Sequence, residues 1–259
     1  MTIIGFIIGT ILGSFIKAIA DRSLNSKTFL GRSYCPKCKH KLGFFDLFPI
    51  FSFLFLQGKC RYCGRVISKE YILVEVVMGF LVAFLFWQSS QNYTLYPTSE
   101  GEVSLPYTLF FITVLAIIFI TDYKKYFIPD RVMLPSIIIA AILSSSGLIG
   151  GSRTAEPIIA GLLIGGFFWL LVIFTRGKGM GGGDVKLGVF MGLGLGLING
   201  ILAVALAFLI GAVWGVGAII LGRKKLKSHL PFGPFLVIGS LIAMFFGNEI
   251  MKWYLNLAL

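Results

Sequence analysis

Long apolar runs are the feature that most constrains this chain. Crossing a bilayer takes about 20 predominantly apolar residues. Such stretches recur near 3–20, 71–88, 106–122, 132–149, 157–175, 185–198, 201–221 and 232–257. The region from 185 to 222 is too long for one crossing at about 1.5 Å per residue, so we expect the turn dipeptide Asn199-Gly200 to divide it. The pattern predicts an all-α polytopic membrane protein with about eight transmembrane helices.

Composition excludes the other broad classes of protein. The chain has 57% hydrophobic and only 13% charged residues, whereas soluble domains carry roughly 25% charged residues. A soluble single-core protein is therefore excluded, and so is a disordered chain, since 25 phenylalanines cannot remain solvated. Residues 1–20 lack the basic start and small-residue cleavage motif of a signal peptide, which predicts a retained first span.

The positive charges predict the orientation in the membrane. The net charge is +12, and 21 of the 23 Lys and Arg residues fall in alternate loops and adjoining span ends if the loop 21–70 is cytoplasmic. Cytoplasmic loops are enriched in Lys and Arg, so both termini are expected outside the cytoplasm. Membrane orientation also explains the basicity without a nucleic-acid partner, and the lipid bilayer is the first expected partner.

Four cysteines in the first long loop indicate a metal site. They form two pairs, Cys35-Pro-Lys-Cys38 and Cys60-Arg-Tyr-Cys63. Two such pairs fill a tetrahedral Zn²⁺ shell and leave no open position, so the zinc is expected to be structural. Disulfides are the alternative, but they are rare in the cytosol. His40 is the alternative ligand, although a solvated histidine on a basic surface is favoured.

The chain is thus predicted to have three parts. Residues 1–20 form the first helix, 21–70 a small zinc-stapled cytoplasmic loop domain, and 71–259 a seven-helix membrane domain. Between the cysteine pairs, the apolar segment 43–56 is too short to span and is expected on the membrane interface or under the helices.

Two aspartates at span ends are the strongest candidates for catalysis. Asp122 ends the third span, and Asp184 opens the sixth span after a run of three glycines, Gly181 to Gly183. At about 1.5 Å per residue they lie roughly 24 and 21 Å from the outer face, inside the cytoplasmic leaflet. Two carboxylates at matched depth can share one proton, as water activation by an aspartyl dyad requires.

Each ionisable candidate also has a structural interpretation. Asp130 follows a proline and precedes a span, so it is expected to be a helix N-cap. Asp122 has Lys125 as an alternative partner, and Asp184 has Lys186. Glu75 lies one turn into the second span, where polar packing or an ion pair is favoured. The glycines that recur every four residues from 188 to 200 indicate close helix packing, not a nucleotide-binding loop.

Nearly the whole chain resembles the bacterial type IV prepilin peptidases, which are membrane-embedded aspartyl proteases of the GxGD class. The motifs that carry the resemblance occur in order along the chain: Gly13-Ser14-Phe15, the paired cysteines, Tyr71-Ile-Leu-Val-Glu75, Thr121-Asp122 through Ile128-Pro129-Asp130, Gly181-Gly182-Gly183-Asp184 and Pro231-Phe-Gly-Pro-Phe235. One early position departs, because Lys17 stands where the family usually has an asparagine.

The resemblance implies an aspartic endopeptidase with Asp122 and Asp184 as catalytic residues and Gly181 and Gly183 supporting Asp184. Its partners would be type IV prepilin or pseudopilin precursors of pili and type II secretion. Their basic leader would be removed at a Gly-Phe type junction, on the cytoplasmic side of the bacterial inner membrane. It further implies N-methylation of the new amino terminus with S-adenosylmethionine.

Two other classes of function remain open. In an ion- or proton-coupled transporter with a zinc-stabilised cytoplasmic module, the two aspartates would bind the transported ion. In a catalytically silent pilus-assembly scaffold, they would have no chemical role. A flux assay identifies the transporter, and a precursor-cleavage assay distinguishes the peptidase from both.

Overall fold

The structure is a computed structural model that describes residues 1–25, 27–29, 31–90, 104–145, 155–177, 179–222 and 231–258. Its helices in chain order are α1 (Thr2–Leu24), α2 (Phe51–Phe55), α3 (Glu70–Ser90), α4 (Leu105–Lys125), α5 (Asp130–Ser145), α6 (Glu156–Phe174), α7 (Gly182–Ile220) and α8 (Gly233–Ala258). Some cations used to predict the orientation lie outside the described residues, namely Arg153, Lys178, Arg223, Lys224, Lys225 and Lys227.

Six of these helices are long and apolar enough to cross a membrane: α1, α3, α4, α6, α7 and α8. Their outward faces carry exposed apolar side chains such as Phe80, Leu162 and Val213, which are 65%, 67% and 75% exposed. Apolar surface this extensive needs a lipid cover. The prediction of an all-α polytopic membrane protein is therefore confirmed.

Helix α7 is interrupted, but not where the sequence indicated. Gly196 has φ 73° and ψ −175°, which is outside the helical region, so α7 consists of two helical halves. Asn199 and Gly200 are helical and buried, and the predicted turn at Asn199-Gly200 is wrong. With two halves of α7 and the 16-residue α5, the described residues contain eight helical segments besides the short α2, which matches the number predicted.

Side chains from three other helices satisfy the backbone at this interruption. The Leu197 N–H donates to the Glu156 carboxylate at 2.7 Å. The Leu193 carbonyl, which an unbroken helix would pair with that N–H, accepts from the Tyr107 hydroxyl at 3.4 Å and from the Ser144 hydroxyl at 3.5 Å. Irregular backbone at membrane depth persists only where protein groups satisfy it in this way.

The described chain divides into two compact units, Met1–Tyr93 and Thr94–Leu259. In the first unit α1 packs on α3, whereas the division predicted from sequence grouped α3 with the later helices. Glycines recur every four residues on α1, and a Cβ at Gly5, Gly9 or Gly13 would collide with α3. Small residues at this spacing let two helix backbones approach closely.

A buried ion pair lies in the first unit where the sequence departs from the family motif. Lys17 is only 1% exposed, and its ammonium is 2.5 Å from the Asp21 carboxylate and 3.3 Å from that of Glu70. The Tyr71 hydroxyl also donates to Asp21, at 2.7 Å. Burial of this lysine is tolerated because the carboxylates compensate its charge.

In the second unit α7 is central and packs on α5, α6 and α8. A Cβ on Gly192 would lie 2.5 Å from the Ala160 and Gly161 backbone of α6. On the other side the Phe190 ring stacks on Phe111 of α4, with centroids 4.9 Å apart. The glycine repeat therefore serves helix packing as predicted, except at Gly196, where it marks the interruption.

We expect Gly192→Ala to destabilise the second unit by about 1–3 kcal/mol, because the added methyl forces the α6 and α7 backbones apart. Gly166→Ala is the matched control, since nothing lies within 4 Å of a Cβ there. It should be neutral or stabilising by at most about 1 kcal/mol. Unfolding in detergent by denaturant titration measures both, and equal effects would contradict the packing described.

Candidate functional site

Asp122 lies near the carboxyl end of α4 with its side chain enclosed. The residue is only 6% exposed, and its Oδ2 accepts the backbone N–H of Gly233 at 3.0 Å. Gly233 is the first residue of α8. A Cβ there would lie 2.6 Å from the same carboxylate oxygen. Glycine at position 233 is thus required for the amide to reach Asp122.

Asp184 occupies the first turn of α7 and is 9% exposed. Its Oδ2 accepts the N–H of Gly181, the N-cap residue, at 3.2 Å. Gly183 packs against Ile128, which lies 3.1 Å from where a Cβ would be. Gly181 therefore holds the Asp184 side chain by a hydrogen bond, and Gly183 lets the start of α7 pack against Ile128. These are the structural roles of the two glycines in the glycine-aspartate motif.

The two carboxylates both lie inside the second unit. They are close enough to interact electrostatically. Asp122 sits at the carboxyl end of α4, beside the amino end of α8, and Asp184 sits at the amino end of α7. Two enclosed carboxylates that interact can hold a single proton between them, so one can act as a base while the other acts as an acid.

The alternative partner of Asp184 is engaged elsewhere. Lys186 forms an ion pair with Asp130, with its ammonium 2.5 Å from the carboxylate. The helix start that Asp130 was expected to cap is instead served by the Pro129 carbonyl, which accepts the Val132 and Met133 N–H groups. Asp130 is therefore an ion-pair partner, and its N-cap assignment is wrong.

The four cysteines converge in the first unit. All are free thiols, and their sulfur atoms lie within 4.8 Å of one another. His40 is not part of this group; its ring lies against Tyr62, with centroids 3.6 Å apart. The geometry of Cys35, Cys38, Cys60 and Cys63 fits a metal ion, and their thiol chemistry favours a soft or borderline cation such as Zn²⁺.

The two cysteine pairs form a local structural repeat. In each, the first cysteine's N–H donates to a carbonyl five residues on, at His40 and at Arg65, with lengths of 3.0 and 2.8 Å. The residue after the second cysteine has positive φ in both, 60° at Lys39 and 67° at Gly64. Each turn thereby points its two sulfurs to the same side.

Backbone hydrogen bonds already favour one thiolate. N–H groups of Cys38 and Lys37 lower the pKa of Cys35 to about 6. For Cys63 the Arg65 N–H acts in the same direction, but burial and the neighbouring sulfurs outweigh it and raise the pKa to about 11. Four thiols this close cannot all ionise without a cation between them.

Gly233 is the site residue for which the sequence suggested no role. In the sequence it stands out only as part of the Pro-Phe-Gly-Pro motif before the last span. The available signal is a glycine between prolines at a helix start, which indicates a backbone position where a side chain does not fit.

Two family models match the chain, one in each of the two compact units. Residues 7–89 match the bacterial peptidase A24 N-terminal domain, and residues 109–216 match the type IV leader peptidase family. Three similar proteins, all named prepilin leader peptidase/N-methyltransferase, come from Bacillus subtilis (strain 168), Aeromonas salmonicida (strain A449) and Pseudomonas aeruginosa PAO1. No solved structure matches the chain.

The first of these is 34% identical over 98% of both chains. The Aeromonas and Pseudomonas proteins are 33% and 30% identical, over 87% and 88% of this chain and 75% and 76% of their own. The chain belongs to the type IV leader peptidase family. This family membership confirms the resemblance and the aspartic peptidase class, and both aspartates and the glycines beside them lie within the matched peptidase segment.

The positive φ angles at residues 39 and 64 predict how substitutions there change the stability of the cysteine turns. We expect Gly64→Ala to destabilise the loop by about 1–2 kcal/mol, because a Cβ is disfavoured in the left-handed region. No atom lies within 4 Å of that Cβ, so only backbone strain changes. Lys39→Gly, at the equivalent position, should have the smaller effect. Limited proteolysis of the loop measures both, and an equally resistant Gly64→Ala protein would contradict the strain.

Proposed function

We propose that this protein removes the basic leader from type IV prepilin or pseudopilin precursors, using Asp122 and Asp184. The observation that carries the proposal is the pair of enclosed carboxylates, each held by one glycine N–H. Family membership supports the substrate class, since the relatives are named prepilin leader peptidases.

Hydrolysis then follows from one proton shared by two carboxylates. The ionised aspartate takes a proton from a water molecule, whose oxygen attacks the scissile carbonyl carbon. The protonated aspartate gives its proton to the carbonyl oxygen, which forms a tetrahedral diol. When the C–N bond breaks, a proton passes to the leaving nitrogen and another from the diol returns to the pair. The products are a carboxylic acid and an amine.

The Gly233 and Gly181 amides fix one oxygen of each carboxylate. Each of these N–H groups engages an Oδ2 atom, so in the proposed mechanism the second oxygen of each aspartate is the one that contacts water and substrate. Groups held in advance by backbone donors need little rearrangement during reaction, which lowers its barrier. The carboxylates are thus positioned by the starts of α7 and α8.

The proposed orientation places the active site on the cytoplasmic side of the bacterial inner membrane, with both termini outside the cytoplasm. The support is the asymmetric distribution of Lys and Arg between alternate loops. The junction is proposed to be of the Gly-Phe type, by likeness to the family.

A structural Zn²⁺ ion is proposed for the four cysteines. Four thiolates would complete its tetrahedral shell, so the ion would fold the loop without taking part in hydrolysis. Methyl transfer to the new amino terminus, with S-adenosylmethionine as donor, is proposed from the bifunctional name of the relatives.

The transporter remains the alternative, and the interruption of α7 at Gly196 is the observation that bears on it. Interrupted helices at membrane depth are typical of ion-binding sites in transporters. Here, however, the backbone groups beside Gly196 are bound by Glu156, Tyr107 and Ser144. Groups already satisfied by protein side chains offer no free ligands, so the interruption supports peptidase and transporter equally.

Asp122→Asn and Asp184→Asn should each reduce precursor cleavage by at least about 100-fold, because the amide keeps the shape and loses the acid-base function. The matched control is Asp130→Asn, which removes only a half-exposed ion pair with Lys186. Cleavage is followed by the mass of the released leader. Full activity in either Asp122→Asn or Asp184→Asn would exclude the dyad.

Gly233→Ala should also impair cleavage, because its methyl would displace the Asp122 carboxylate and break the N–H bond. The control is Gly211→Ala on α7, where the nearest atom to a Cβ lies at 3.5 Å, an ordinary contact. We expect a loss in kcat for Gly233→Ala with the fold intact. Unchanged kcat would mean that Gly233 does not position Asp122.

For the metal, purified protein should contain zinc at about one ion per chain, lost in Cys35→Ser/Cys38→Ser, because a structural shell needs four ligands. Elemental analysis measures this, with His40→Ala as the control that keeps its zinc. Retention of zinc by the double serine variant would place the ion elsewhere.

A further inference from the structure

An exposed apolar surface lies between the two cysteine pairs and has no role in the proposed hydrolysis. It comprises residues 44–55, here called the aromatic segment, which form a short 3-10 turn and α2. Its exposed apolar side chains are 41% to 85% exposed: Phe44, Phe45, Leu47, Phe48, Phe51, Leu54 and Phe55. Three ring contacts join four of the phenylalanines, Phe44, Phe45, Phe48 and Phe51, into one continuous surface.

This segment is anchored to α3 through a strained turn. Ile50 has φ 61° and ψ −55°, a conformation that is rare and costly for a β-branched residue. Its N–H donates to the Glu75 carboxylate at 2.8 Å, and the next N–H, of Phe51, donates to the Pro49 carbonyl at 2.6 Å. Strain of this kind persists only where surrounding contacts impose it. Glu75, 6% exposed, supplies that contact.

The anchor sets the depth of the segment relative to the spans. Glu75 lies five residues into α3, about 7.5 Å from its start at 1.5 Å per residue. Because α3 has the length and apolarity of a span, the segment lies beside the first turns of a membrane helix and not out in water. Aromatic side chains at this level are typical of the membrane–water interface.

The surrounding charges match an anionic surface. Between residues 31 and 69 the loop has eight exposed cations: Arg32, Lys37, Lys39, Lys41, Lys59, Arg61, Arg65 and Lys69. Asp46 is the single acidic residue in that range, and its carboxylate is 2.9 Å from Arg61 and 3.1 Å from the Tyr62 hydroxyl. Basic residues that flank an apolar aromatic surface are attracted to anionic lipid.

We propose that the aromatic segment inserts into the interfacial layer of an anionic bilayer and that Glu75 is the residue that holds it there. The cysteine module would then lie flat on the membrane surface beside α1 and α3. This goes beyond the proposed peptidase activity and does not depend on it.

Tryptophan fluorescence of the full chain in liposomes tests the insertion. The four native tryptophans are replaced by Phe, and single probes are introduced as Phe45→Trp or Phe55→Trp. The control probe, Lys37→Trp, lies in the first cysteine turn outside the aromatic segment. With brominated phosphatidylglycerol present, the segment probes should lose most of their emission and the control should keep most of its own.

Quenching by acrylamide, which stays in water, distinguishes insertion into lipid from two alternatives: exposure of the aromatic segment to water and its coverage by protein. Strong quenching of the segment probes by acrylamide, and none by brominated lipid, would mean exposure to water and would overturn the proposal. Protection from both quenchers would mean that protein covers the surface, which would overturn it too.

The role of Glu75 is tested in the same assay with two substitutions of similar volume, one that keeps a hydrogen-bond acceptor and one that removes it. Glu75→Gln retains an oxygen that can accept the Ile50 N–H, so lipid quenching of the Phe45→Trp probe should persist. Glu75→Leu keeps a similar volume without an acceptor, and quenching should fall. Equal quenching in both variants would show that Glu75 does not hold the segment. The tryptophan probes in protein that keeps Glu75 test the insertion itself, even if Glu75→Leu fails to fold.

Discussion

A carboxylate inside a membrane protein has to be paired, and here the partner is repeatedly a backbone N–H at a helix start or turn. Asp122 accepts from Gly233, Asp184 from Gly181, Glu75 from Ile50 and Glu156 from Leu197. Such a donor satisfies an oxygen without adding a positive charge. It favours the ionised form less strongly than a lysine or arginine partner would, so the carboxylate remains able to exchange protons.

These donors are within reach only because the helices approach closely, and glycine permits this. At Gly233 the absence of a side chain gives the amide access to Asp122, and at Gly183 it lets the start of α7 contact Ile128. At Gly192 the same property brings α6 and α7 together, which supports the helix that bears Asp184. Helix packing and the geometry of the two aspartates thus both depend on glycines of α7 and α8.

Sequence alone predicted what short-range patterns encode. Apolar run length identified the membrane-spanning helices, and cysteine spacing identified the cluster that the structure assembles. The common depth of Asp122 and Asp184 stays a prediction. The interruption of α7 was misplaced, because Asn199-Gly200 reads locally as a turn while Gly196 is stabilised by Glu156, 40 residues earlier. The Gly233–Asp122 bond and the Asp130–Lys186 ion pair escaped prediction for the same reason, since each joins residues far apart in the chain.

We propose that Asp122 and Asp184 face each other in the resting enzyme. A double variant, Asp122→Cys/Asp184→Cys, with the four native cysteines replaced by Ser, tests this directly through a short bifunctional thiol reagent. An intramolecular cross-link is expected, identified by mass spectrometry of the joined peptides. If each single variant reacts with a monofunctional reagent but the double variant gives no cross-link, the two aspartates do not form a dyad.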